Sequence, residues 1–203
     1  MSSERARERA DVAATTLFIT WDAEADELLA SEPLALLIGM LLDQQVPMEW
    51  AFGSPARLKE RLGGALDASA IAAADPDELG FAFKGPPALH RYPGSMAART
   101  QAMCTALVEG YGGRAEAVWA DAPSGSELRR RLEALPGFGT AKARIFLAVL
   151  GKRLGVCPPG WKEAASPFSD EVKRSVADAT SPEALEEVRA FKRERKAAAK
   201  AAK

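Results

Sequence analysis

From Leu34 to Leu42 the chain reads Leu-Ala-Leu-Leu-Ile-Gly-Met-Leu-Leu, apolar at every position. A helix that is apolar all round has no face for water and must be wrapped by other elements. It is also too short to cross a bilayer, which takes about 20 apolar residues. Pro33 stands where proline favours a first helical turn, so a central core helix is expected from there. The run stops at Asp43-Gln44-Gln45, just before Val46-Pro47. Polar side chains at the end of a buried helix need a wet cleft or a partner.

The wrapping elements read as helices. Alanine accounts for 41 of the 203 residues, and Leu, Glu and Arg are frequent; these are the strong helix formers. Residues 22–31 have Asp22 as a cap, with Ala25, Leu28 and Leu29 on one face. Residues 54–63 read as a capped helix closed by Gly63-Gly64. A short helix and then Asp75-Pro76 open another. Residues 96–111 form a helix with Met96, Met103, Leu107 and Tyr111 among its apolar positions. Ser124–Leu135 is amphipathic, with Leu128, Leu132 and Leu135 inward. Two more helices are expected over 169–179 and 182–191, capped by Ser169 and Ser181. Residues 15–20 are the one β-like stretch. The fold class is therefore all-α, with nine or ten helices and no reliable sheet.

The segment Leu-Pro-Gly-Phe-Gly at 135–139 lies between two amphipathic helices. Two glycines let the backbone approach a phosphate with no Cβ in the way. The turn feeds a helix N-terminus, whose free amides and dipole favour an anion. Thr140 is expected to cap that helix. Ala143, Phe146, Leu147 and Leu150 form its apolar face, and Phe138 turns inward. Lys142 and Arg144 add positive charge. Such a site grips a sugar-phosphate backbone and reads no base edges.

Over roughly residues 33–165 the chain resembles the HhH-GPD superfamily of base-excision DNA glycosylases. Two blocks carry the likeness, Pro33–Phe52 and Leu135–Gly151, about 90 residues apart. The resemblance implies a two-lobed helical fold with a helix-hairpin-helix and a target nucleotide drawn into the cleft between the lobes. The implied partner is double-stranded, damaged DNA, bound by a monomer in the cytoplasm, nucleoid-associated, with no membrane contact. Residues 1–32 would join the C-terminal helices. Residues 33–155 would form the core lobe with the hairpin at about 126–151, and 156–191 would complete the second lobe. Gly137, Phe138, Gly139, Thr140, Lys142 and Arg144 would contact DNA. Gln44, Gln45, His90, Arg91, Tyr92 and Trp161 would line the base pocket or fill the gap left by the base. A monovalent cation at the hairpin would be the one cofactor.

The departures from the family pattern bear on chemistry. Ala141 stands where bifunctional members carry a catalytic lysine, and Lys142 is one residue later, rotated by about 100°. No Schiff-base lyase step is expected. The usual downstream aspartate is missing from Val156–Glu163. Asp43, Glu163 and Asp170 are the candidate catalytic carboxylates in its place. With two cysteines and one histidine, an iron-sulfur cluster or an all-protein metal site is not expected.

Each candidate also has a plain role. Asp43 can cap a helix end, His90 and Trp161 can pack, Lys142 can bind phosphate, and Gln44 and Gln45 can be surface amides. Two functions remain open: a monofunctional DNA glycosylase, or a non-catalytic binder of distorted DNA. A helical protein-interaction module is the weaker third.

The formal net charge of -1 argues against a uniformly basic DNA binder. It is a sum of unlike parts. Residues 189–203 carry seven Lys/Arg and one Glu, a net +6, so residues 1–188 sum to -7. This tail is expected to be disordered or frayed in the absence of DNA, with 192–203 as the disordered end. The leader 1–14 is polar, with no apolar run of a secretory signal.

Overall fold

A computed structural model describes residues 17–201. The charged leader and the first two residues of the β-like stretch lie outside the described residues. The ten helices among the described residues are α1 Ala23–Ser31, α2 Pro33–Leu42, α3 Met48–Arg61, α4 Ala68–Ala73, α5 Pro76–Lys84, α6 Pro93–Tyr111, α7 Gly125–Glu133, α8 Thr140–Arg153, α9 Trp161–Ala165 and α10 Pro182–Ala201. Short 3₁₀ turns lie at Ala115–Val118 and Val176–Asp178. No strand occurs among the described residues, so the protein is all-α.

α2 is the central element. Every residue from Leu34 to Leu42 is buried. α1, α3, α6 and the first 3₁₀ turn pack around it. Gly39 allows the closest approach: a Cβ there would lie 2.6 Å from a ring carbon of Phe52 on α3. α4 and α5 pack on α6, while α7, α8, α9 and the second 3₁₀ turn form a second cluster. Trp119 and Phe146 join the clusters, ring centroids 5.8 Å apart. On the outside, Arg189 of α10 stacks over Trp21 at 5.5 Å and pairs with Glu49, tying the N-terminal segment and α3 to the last helix.

Local signals explain most boundaries. Asp22, Asp67, Asp75 and Ser124 accept amides at the starts of α1, α4, α5 and α7. Several boundaries differ from the sequence expectation, each for a nonlocal reason. Residues 17–20 form no strand, although Leu17 and Ile19 are buried. Their alternation serves packing, and the Asp26 carboxylate takes the amides of Ile19 and Thr20. α3 begins at Met48 and not at Ser54. Ser54 is buried inside the helix, its hydroxyl 2.7 Å from the carbonyls of Trp50 and Leu89.

The segment 169–179 is not a helix. The Asp178 carboxylate accepts the amides of Arg174 and Ser175, which satisfies that backbone without a helical ladder. Ser169 is no cap; its hydroxyl donates to the Lys162 carbonyl at 2.6 Å. A helical turn, α9, forms instead just before it, in the stretch 156–168 that holds Pro158, Pro159 and Pro167. The tail expected to fray continues α10 as helix through Ala201.

Candidate nucleic-acid interface

The two sequence blocks meet in space. The turn at Pro136–Gly139 packs on the C-terminal end of α2. Gly137 has φ +86°, and a Cβ there would lie 2.2 Å from Leu41 Cδ1. Phe138 is buried as expected, edge-on to Phe146 at 5.8 Å. Gly137, Gly139, Thr140 and Ala141 are exposed.

Thr140 is not the cap. It is the first residue of α8, and Gly139 occupies the cap position with no side-chain hydrogen bond there. The amides of the first turn therefore have no partner within the helix. Gly139 has an ordinary φ of −84°, and a Cβ added to it would have no neighbour within 4 Å. The protein's own packing makes no demand for glycine there.

Lys142 turns inward, not outward to solvent. Its ammonium donates to the Leu41 carbonyl, at the end of α2, where unpaired carbonyls and the dipole favour a cation. Burial pushes its pKa down to about 8, against an upward pull from Asp43 and with a further push from Arg99. The unfolded lysine holds its proton to about pH 10.5, the folded one only to about 8. Between those values the unfolded chain binds more protons, so this group makes stability rise with pH there. Below about pH 8 its burial penalty is present in full. The stability difference between wild type and Lys142→Met should therefore move in favour of wild type from about pH 8 to 10.5. Chemical denaturation across that range measures it, and a flat difference refutes it.

The loop after α2 gathers the rest of the site. Gln44 donates from Nε2 to the Leu41 carbonyl at 2.9 Å and accepts from Arg99 at 3.1 Å. Asp43 caps α2 and is largely buried, with Lys192 Nζ 3.9 Å from its Oδ2. Gln45 is exposed and has φ +57°, uncommon for a residue with a side chain.

His90 holds this loop. The ring is fully buried, with Nε2 2.9 Å from the Gln44 carbonyl and Nδ1 accepting the Tyr92 amide at 3.1 Å. An acceptor at Nδ1 and a carbonyl at Nε2 assign the neutral tautomer with its proton on Nε2. The segment 85–92 is fixed from its other side by α3: Trp50 donates to the Ala88 carbonyl, and Arg61 to those of Ala82 and Pro87. Tyr92 and Arg91 remain exposed, the guanidinium 4.8 Å over the ring.

So the structure brings together Asp43, Gln44, Gln45, His90, Tyr92, Lys142 and the hairpin turn. It leaves others elsewhere. Trp161 packs on α8, where a Cβ at Gly151 would lie 2.3 Å from its ring, about 14 Å along the helix from Lys142. Glu163 is exposed on α9. Asp170 pairs with Arg174 at 2.5 Å, and its carbonyl accepts from Lys152, far along α8. Arg144 is half-buried, and its Nε has no hydrogen-bond partner among the described residues. Arg99 and Lys192 are additions that sequence reasoning missed; neither belongs to a motif.

Neither cysteine joins the site. Cys104 is buried in α6, which pushes its thiol up to about 12, and such a thiol is a poor nucleophile. Among the described residues no group of three or more His, Cys, Asp or Glu side chains is placed to hold a metal ion. No described helix is long and apolar enough to cross a membrane. Comparison with protein-family models, curated proteins and solved structures returned no match.

Proposed function

We propose that this chain is a DNA-binding protein of the base-excision-repair type, of the helix-hairpin-helix glycosylase superfamily, acting as a monofunctional glycosylase. One observation carries the reading: the hairpin turn packs on the end of α2, so the uncapped first turn of α8 lies beside Asp43, Gln44 and Gln45. The exposed glycines and open amides suit a DNA phosphate. Beside them stands a polar loop with one outward side chain, Gln45, which suits the gap left by an extruded base.

Asp43 is the carboxylate we assign to catalysis. Of the three candidates it is the one next to the hairpin. A carboxylate there stabilises the positive charge that develops on the sugar as the N-glycosidic bond breaks, and it orients the attacking water. His90 and Arg99 keep the adjoining Gln44 in place.

The test is incubation of excess protein with duplexes carrying uracil, alkylated or oxidised bases, followed by alkali. Strand breaks at one lesion class are expected, and Asp43→Asn should slow their appearance by about 100-fold or more. Borohydride should trap no adduct on an abasic duplex, because Ala141 occupies the lysine position and Lys142 turns inward onto the Leu41 carbonyl; a trapped adduct would overturn the monofunctional assignment. The second reading is a non-catalytic binder of distorted DNA. It is favoured by the two ammonium groups whose charges act on Asp43, those of Lys142 and of Lys192 at 3.9 Å. Tight binding with no release across the panel would select it.

A further inference from the structure

α10 has two unlike halves. In the first, Ala184, Leu185 and Val188 are buried. Arg189 closes that half on Glu49, Glu186 and Trp21. Phe191 follows, its ring 5.5 Å from the guanidinium of Arg174 and 6.0 Å from that of Arg195. From there Lys192, Arg193, Glu194 and Arg195 are exposed, as are Ala197, Ala198 and Lys200. This second half extends for about 15 Å at 1.5 Å per residue.

Four of its five cations share one side. At 100° per residue, positions 192, 193, 196 and 200 fall within about 100° of the helix circumference. All four are Lys or Arg. Glu194, Arg195 and the alanines at 197, 198 and 201 fall outside that arc. The arc also has a direction. Lys192 lies on it, and its Nζ is 3.9 Å from Asp43 Oδ2 and 3.9 Å from Met48 Sδ. The basic stripe therefore starts at the rim of the candidate interface.

We propose that the second half of α10 is a separate DNA contact, a basic rail along one strand of the duplex beside the cleft. The inference rests on the DNA-binding reading above. Positions 192, 196 and 200 are like-charged at i, i+4 spacing, which weakens the helix. A polyanion removes that repulsion. The stripe from 192 to 200 spans about 12 Å, and one phosphate per strand for about every 3.4 Å of duplex axis gives it about three to four phosphates. A membrane surface fits poorly, because an interfacial helix needs large apolar side chains opposite its charges. Here that face carries Glu194 and small alanines.

The experiment compares the full chain with the triple variant Arg193→Gln, Lys196→Gln, Lys200→Gln, which leaves Lys192 and Asp43 untouched. Binding to an abasic duplex is measured over a salt series. The slope of log affinity against log salt should fall by about 2–3 in the variant, at about 0.9 for each phosphate no longer neutralised. Affinity at low salt should fall about tenfold or more, and a backbone footprint should shorten on one flank by about four nucleotides. Glu194→Gln should change neither. An unchanged slope in the triple variant, with the wild type still binding, overturns the rail and leaves the hairpin reading intact. A wild type that binds no duplex overturns both. Binding to phosphatidylserine vesicles lost in the triple variant, with DNA binding unchanged, overturns the DNA rail in favour of a lipid contact.

Discussion

Gly139→Val is expected to leave the fold intact and to weaken binding to abasic duplex by about tenfold or more, the loss of one charge-assisted backbone contact. The residue has an ordinary φ and open space around its Cβ position, so stability should change by less than about 1 kcal/mol. Its neighbour behaves in the opposite way. Gly137→Val puts a β-branched residue at φ +86° with its Cβ against buried Leu41. Backbone strain and overpacking together should destabilise by about 2–5 kcal/mol. The control for general loss of stability is Ile71→Ala in α4, which empties a buried site in the other cluster at about the same cost. Thermal melts and duplex titrations on all three separate the roles. If Gly139→Val binds DNA as tightly as wild type, the hairpin is a packing turn and the proposed interface fails.

Asp178→Ala should destabilise by about 2–4 kcal/mol, because it removes the acceptor of two backbone amides and one carboxylate partner of the half-buried Lys152. Asp178 is nearly inaccessible and accepts from Lys152 of α8 at 2.6 Å. It also accepts the amides of Arg174 and Ser175 at 3.0 and 3.1 Å. One side chain thus replaces a missing helical ladder and fastens the C-terminal segment to the far end of the hairpin helix. Arg153 adds a bond from Nε to the Ala177 carbonyl at 2.8 Å. Urea denaturation should show the loss in the midpoint. Asp178→Asn should lose less, since it keeps an acceptor for the amides. A variant within about 1 kcal/mol of wild type would show that the segment is held by packing alone.

How much of this is legible in the sequence follows the range of each interaction. The burial of Leu34–Leu42, the caps at Asp22 and Asp75, the Gly63-Gly64 stop and the inward face of Leu128, Leu132 and Leu135 are local or periodic, and the structure has all of them. The start of α3 is not legible, because Ser54 looks like a cap until Leu89 arrives from 35 residues away. Segment 169–179 looks helical because the carboxylate that replaces its ladder sits within it, held by a lysine on another helix. In the site, the hairpin turn and the Asp43–Gln45 loop can be named from spacing and composition. The inward turn of Lys142, and the arrival of Arg99 and Lys192, depend on how helices cross, and no short-range pattern encodes that.

The buried imidazole of His90 also gives the protein a built-in reporter. The chain has one histidine, and it bridges the two loops of the candidate interface. Its two nitrogens are unlike, one protonated and one accepting. A nitrogen-15 spectrum of the side chains should therefore show one imidazole pair, free of overlap. Any movement of Gln44 away from that ring during DNA binding should shift the Nε2 resonance while Nδ1, held by Tyr92, stays in place. A single spectroscopic signal would then follow the opening of the loop without any change to the sequence or any attached probe.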